Sequence, residues 1–224
     1  MLYGKEADTM SGSEPDEATT GRGHMLSRYA DFPNAVTAVG LLFAIFAIYF
    51  AVRDAYAASM LMLLWATLCD WLDGPAARRV KSRPEERRQF GKQLDSFADL
   101  VSSSIAPAMV LLSVGNYSAL YLPGAILLIF AGVTRLAYFN IHGIGADGAF
   151  VGLPVPANVL IITLVFLVHG MVADAVFSFL LYTALVTASV LNVAPIRVPK
   201  PGGYWYGVIV VYVLAQSVVF GSRI

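Results

Sequence analysis

The chain is 224 residues long, 58% hydrophobic and 13% charged, and its formal net charge is zero. Soluble domains carry about 25% charged residues, so this composition excludes a soluble enzyme or binding module and describes an integral membrane protein. No nucleic-acid partner is expected, and the lone Cys69 excludes both an intramolecular disulfide and a cysteine-based metal site.

Residues 1–24 are polar and lack the apolar core of a signal peptide. They read as a disordered tail ahead of a single membrane domain over 26–224. Leu26 to Phe32, with Arg28, Tyr29 and Asp31, has the composition of a short amphipathic segment at the interface. Pro33-Asn34 then opens a first membrane helix that runs to about Val52. Proline costs little there because the N–H it lacks would have no intrahelical partner. Further apolar helices are predicted over Ala57–Arg78, Phe90–Val114 and Ala119–Phe139. A Gly-rich polar loop follows over 140–152, and Leu153-Pro154-Val155-Pro156 leads into a fifth helix ending near Gly170. The sixth covers Ala175–Val193, and after a loop over 195–203 a seventh covers Tyr204–Phe220. Most of these runs are near the ~20 residues a bilayer crossing needs. The fold class is therefore all-α, a polytopic bundle of about six to seven transmembrane helices.

Lysine and arginine set the expected orientation. With the N-terminus cytoplasmic, every cation except Arg53 and Arg223 falls on the inner side, which is the arrangement the positive-inside rule favours. The expected location is the cell membrane, with the polar ends of helices two and three on the cytoplasmic side. Arg79, Lys81, Arg83, Arg87 and Arg88, in a predicted loop over Arg79–Gln89, suit attraction to anionic lipid headgroups.

Those two helices carry the chemistry. Asp70 and Asp73 are spaced i,i+3, and Asp95 and Asp99 i,i+4, so each pair projects from one helix face. Acids inside membrane segments are costly and mark functional sites. If both helices meet water near Arg78 and Gly91, then at about 1.5 Å per residue Asp73 and Asp95 lie roughly 6–8 Å inside. On the same rise Asp70 and Asp99 lie roughly 12 Å inside. An antiparallel pair would set the four carboxylates in two facing rungs. Such hard oxygen ligands suit Mg²⁺ or Mn²⁺, and four acids can serve two metal ions.

The pattern D-x2-D-G-x2-A-R followed by G-x3-D-x3-D, here Asp70 to Arg78 and Gly91 to Asp99, resembles the signature of the CDP-alcohol phosphotransferase family. The resemblance implies that Asp70, Asp73, Asp95 and Asp99 hold divalent metal and that Asp99 is also the general base. It implies that Gly74, Ala77, Arg78 and Gly91 meet the nucleotide, with Arg78 a bidentate partner for the pyrophosphate. Pro33-Asn34-Ala35-Val36-Thr37 matches a further family pattern that places Asn34 and Thr37 near the nucleotide. The connection between Arg78 and Gly91 is longer than the family's, and the extra residues fall in the charged loop. Homodimerisation is implied by the resemblance alone.

Several stretches are similar to the family's phosphatidylserine synthase branch. They are Phe90 to Ser96, Ala106-Pro107-Ala108, Arg135 to Asn140, Gly152 to Ala157 and Ile196 to Pro199. That branch has a second basic residue where this chain has Tyr138. Arg135 and Asn140 are the residues expected to bind the acceptor, with an interfacial snorkelling role as the alternative for Arg135. His142 and His169 lie at helix ends, and no catalytic role is expected of them. Trp65, Trp71 and Trp205 suit packing and interface anchoring.

The reaction these features imply is transfer of a phosphatidyl-type group from a CDP-activated lipid to L-serine, with release of CMP. Inositol phosphate or glycerol phosphate is the alternative acceptor. A divalent-cation transporter is a more distant reading, since it needs a polar path beyond Asp70 and Asp99, and Ser59 and Thr67 are the only polar side chains earlier in helix two.

Overall fold

The computed structural model describes residues 29–79, 84–145, 148–199 and 202–224, with the side chains of Asp73, residues 75–79 and Tyr206 outside the description. The tail expected over 1–25 and the rest of the amphipathic segment before Tyr29 lie outside it as well.

The first helix, α1 (Phe32–Val52), starts where Asp31 accepts the Asn34 backbone N–H at 3.0 Å and Pro33 occupies the first turn. A side-chain acceptor at this position satisfies one of the orphan donors of a helix N-terminus. Its buried residues are Pro33, Asn34, Thr37, Gly40, Ala44, Ala47 and Ala51, a stripe at helical spacing made largely of small side chains. That stripe packs along α2 (Tyr56–Arg79) in the most extensive helix pairing of the described residues. Small residues let membrane helices approach closely, so buried hydroxyls can bridge them. Ser59 of α2 donates to the Ala47 carbonyl at 2.8 Å.

Helix α3 (Glu85–Val114) departs from expectation twice. It begins at Glu85, so much of the predicted Arg79–Gln89 loop is helix. The start is favoured by Pro84 before it and by Glu85 and Glu86 in the first turn, where acids complement the helix dipole. Its middle, Val101–Ile105, is a π-helical turn that buries Ser102, Ser103 and Ser104 together. Helix α3 thus extends past Gly91 toward Glu85.

Helix α4 (Leu122–His142) accommodates Pro123 in its first turn. A short helix α5 (Ala157–Val165) ends in a 3₁₀ turn over Phe166–Val168, and α6 (Asp174–Val193) and α7 (Gly203–Gly221) complete the bundle. Five of these helices are long and apolar enough to cross a membrane: α1, α3, α4, α6 and α7. Tyr56–Leu72 of α2 and Ala157–Val168 are shorter apolar helices. The protein is thus a multi-pass, essentially all-α membrane protein.

One element was not expected. β1 (Ala149–Val151) and β2 (Arg197–Pro199) form an antiparallel ribbon, with Phe150 opposite Val198, inside segments read as loops. Gly152, at φ +77, closes the ribbon against α6, and a β-carbon there would collide with the Asn192 carbonyl. Only glycine suits that position. The apolar core, including Met60, Leu63, Leu64, Leu111, Ile162, Phe166, Leu181 and Phe220, lies between the helices.

Candidate active site

The polar ends of α1, α2, α3 and α4 meet on the side of the bundle that carries the ribbon. Tyr29 stacks on Phe90 with ring centroids 4.5 Å apart and donates to Glu86 at 2.8 Å. This brings the start of α1 to the start of α3. Across α3, Lys92 donates to the Asn140 carbonyl at 3.2 Å, and the Asn140 amide donates to Ser96 Oγ at 2.9 Å. These contacts lock α4 to α3 beside Asp95.

Within that frame Asp70 of α2 and Asp99 of α3 line one narrow cleft with Thr37, Gly40, Ala66, Ala98 and Ser102. Asp70, Asp95 and Asp99 are each half-buried. Asp95 lies one turn before Asp99 on the same helix and is not among the cleft's lining residues. Among the described residues, no three His, Cys, Asp or Glu side chains form a metal-holding group. The side chains of Asp73, Ala77 and Arg78 lie outside the described residues, so the four-acid set expected from the sequence is seen only in part. What is visible suits a hard cation: two carboxylates from different helices and two hydroxyls, all oxygen donors.

The cleft depends on a residue the motif reading missed. A β-carbon on Gly40 would lie 3.0 Å from Cys69 Cβ and 3.4 Å from the Ala66 carbonyl. Glycine therefore lets α1 press against α2 one turn from Asp70. Gly40 sits i+3 from Thr37, the spacing that could have pointed to it. Thr37 and Asn34 are both 5% exposed. Thr37 Oγ1 donates to the Pro33 carbonyl at 3.2 Å, and Asn34 Nδ2 to the Tyr29 carbonyl at 2.7 Å. Gly74 is exposed, and a β-carbon there meets nothing within 4 Å among the described residues. Gly91 is half-buried.

Arg135 is 5% exposed, which removes the snorkelling alternative. Its guanidinium lies over the rings of Phe139 at 5.5 Å and Phe150 at 5.9 Å. The second ring comes from the unexpected ribbon. Arg135 has no acidic partner among the described residues, and its Nε is buried without a hydrogen-bond acceptor there. A buried guanidinium held by aromatic faces alone is suited to an incoming anion. Tyr138, three residues on, is 41% exposed, packs on His142 at 4.4 Å and lies within electrostatic reach of Arg135.

The hydroxyls a transport path would need are spent on backbone. Thr67 donates to the Leu63 carbonyl at 3.0 Å, and Ser59 is the interhelical tie already described. His142 is exposed, and His169 lies among the rings of Tyr56, Phe166 and Phe177 at the opposite end of the bundle.

Comparison with known proteins gives the chain's relatives. The CDP-alcohol phosphatidyltransferase family model matches residues 30–194. A CDP-diacylglycerol–serine O-phosphatidyltransferase of Helicobacter pylori is 29% identical over 176 residues, 75% of this chain and 72% of the relative. An archaetidylserine synthase of Methanothermobacter thermautotrophicus is 26% identical over 179 residues, covering 80% and 73%. A CDP-diacylglycerol–serine O-phosphatidyltransferase of Methanocaldococcus jannaschii is 36% identical over a shorter 105 residues, covering 46% and 48%.

Proposed function

The chain belongs to the CDP-alcohol phosphatidyltransferase family, and from that premise we propose that it transfers the phosphatidyl-type group of a CDP-activated lipid to L-serine. The observation that carries this reading is the shared cleft of Asp70 and Asp99, two acids of one split motif brought together from separate helices. The relatives named for serine transfer support the choice of acceptor.

Asp70, Asp73, Asp95 and Asp99 would hold the divalent metal that the family generally uses, with Mg²⁺ or Mn²⁺, as two ions, the assignment for this chain. The metal would neutralise pyrophosphate charge and stabilise the departing CMP. Arg78 grips the pyrophosphate, while Gly74, Ala77 and Gly91 leave room for the nucleotide beside Asn34 and Thr37. Arg135 takes the acceptor's carboxylate, and Asn140 joins it in binding the acceptor while tying α4 to α3 through Ser96.

Asp99 then accepts the proton of the serine hydroxyl. An alcohol is a poor nucleophile until a positioned base removes that proton. The serine oxygen bonds to the lipid-linked phosphorus, the phosphorus–oxygen bond to CMP breaks, and CMP leaves with the electron pair. The lipid remains in the bilayer throughout, which fits acids carried on membrane helices.

The distribution of lysine and arginine supports a cytoplasmic active face in the cell membrane. Residues 26–224 are assigned to one membrane domain behind the N-terminal tail, and a homodimer is proposed from the family resemblance. The test is CMP release by purified protein with CDP-diacylglycerol and a panel of alcohols. Serine should support release. Release with glycerol phosphate or inositol phosphate and none with serine would overturn the acceptor assignment.

A further inference from the structure

Just beyond Asp99, three buried polar atoms have no hydrogen-bond partner among the described residues: Ser104 Oγ, Arg135 Nε and Asn158 Oδ1. Ser104 and Asn158 are fully buried, and Arg135 nearly so. Buried polar groups are rarely left unpaired in a folded protein, so three on neighbouring helices need an explanation.

They belong to one region. Gly132 of α4 lies so close to α3 that a β-carbon there would collide with Ser104 Oγ, and Arg135 follows three residues later. Asn158 of α5 donates its amide to the Ser103 carbonyl at 2.9 Å.

The asparagine orientations are fixed by their partners. Asn192 Nδ2 donates to the Leu153 carbonyl at 3.0 Å, which turns its Oδ1 toward Asn158. Asn158 Nδ2 donates to that Oδ1 at 3.1 Å as well as to Ser103. Exchanging oxygen and nitrogen in either amide would set oxygen against oxygen. Asn158 Oδ1 is therefore an acceptor that the surrounding helices leave unused.

We propose that Asn158 Oδ1 and Ser104 Oγ bind the α-ammonium of the acceptor, opposite the Arg135 site for its carboxylate. These residues would select an amino alcohol over acceptors that lack the amine. The inference rests on the serine reading above. An ammonium has three donors and no acceptor, and the amide and hydroxyl oxygens supply what it lacks. A phosphate placed against Asn158 Oδ1 would instead meet an oxygen dipole of the wrong sign. With both charges of serine held, its hydroxyl is the group left for Asp99.

The test compares L-serine with 3-hydroxypropionate, which keeps the hydroxyl and carboxylate but has no amine. It uses the full chain in nanodiscs with CDP-diacylglycerol and reads kcat/KM for each acceptor. Ser104→Ala removes an oxygen that has no partner among the described residues, so it keeps the fold, and Asn158→Leu is the second variant. Wild type should prefer serine by about tenfold or more. Each variant should lose most of that preference through serine alone, with 3-hydroxypropionate barely changed. Equal losses on both acceptors at an unchanged unfolding midpoint, or an unchanged preference, would overturn the inference. If Asn158→Leu fails to fold, the Ser104→Ala ratio decides. Wild-type protein that makes no product from serine would instead defeat the acceptor reading beneath it.

Discussion

Gly40 of α1 and Cys69 of α2 touch so closely that a β-carbon on the glycine would lie 3.0 Å from that of the cysteine. This contact sets how near Thr37 comes to Asp70, because each lies within a turn of it. Gly40→Leu should wedge the helices apart and lower CMP release at least about tenfold, since overpacking costs about 1–3 kcal/mol. Gly40→Ala should cost less than Gly40→Leu, because the Cys69 β-carbon and the α2 backbone that carries it must give by only a few tenths of an ångström. Wild-type release by Gly40→Leu at equal protein level would show that the contact does not shape the cleft.

The acids should divide binding from chemistry. Asp70→Asn and Asp73→Asn each remove an anion from the proposed metal site, so metal and nucleotide affinity should fall together. Asp99→Asn should keep much more CDP-lipid affinity while losing turnover. Calorimetric titration with a soluble CDP-lipid analogue, alongside CMP release, separates the two. Equal binding losses at all three positions would refute the assignment of Asp99 as base.

The helices and the paired acids were legible because they rest on strong signals: apolar runs of membrane length and carboxylates at helical spacing inside them. What escaped has weaker local signatures. The ribbon strands Ala149–Val151 and Arg197–Pro199 are three residues each, too short to show alternation, and they pair across almost fifty residues. The start of α3 at Glu85 was hidden because charged residues read as loop, although Pro84 and two acids form a helix-start signal. Asn158 and Asn192 are single amides in apolar helices, and only their mutual contact reveals their roles. Asp70 and Asp99 line one cleft, and beside them Gly40 carried only its i+3 spacing from Thr37 as a signal.

Arg135 carries the acceptor prediction. Losing a charge-assisted contact of about 1.5–3 kcal/mol should raise the Michaelis constant for serine about tenfold or more. The constant for CDP-lipid should change far less. Arg135→Lys should rescue only in part, because an ammonium lacks the guanidinium's bidentate fork. An unchanged serine constant in Arg135→Ala would remove Arg135 from the acceptor site.

At the far end of the bundle, burial among Tyr56, Phe166 and Phe177 lowers the His169 pKa. Arg223 lowers it further, and Asp174 opposes the shift. Protonation therefore favours the unfolded chain, which binds a proton near the ordinary value of about 6.5. The His169 contribution to stability is present above that value and is lost as pH falls below it. The unfolding midpoint in detergent should drop on acidification, and His169→Gln should flatten that dependence. An identical pH profile in the variant would exclude His169 as the titrating group.

The most direct test of the Asp70–Asp99 cleft as a metal-dependent transferase centre is CMP release from CDP-diacylglycerol and serine after exhaustive chelation. Release should stop on chelation and return with Mg²⁺ or Mn²⁺, but not with monovalent salt. Full release from metal-free protein would contradict the proposed role of Asp70, Asp73, Asp95 and Asp99.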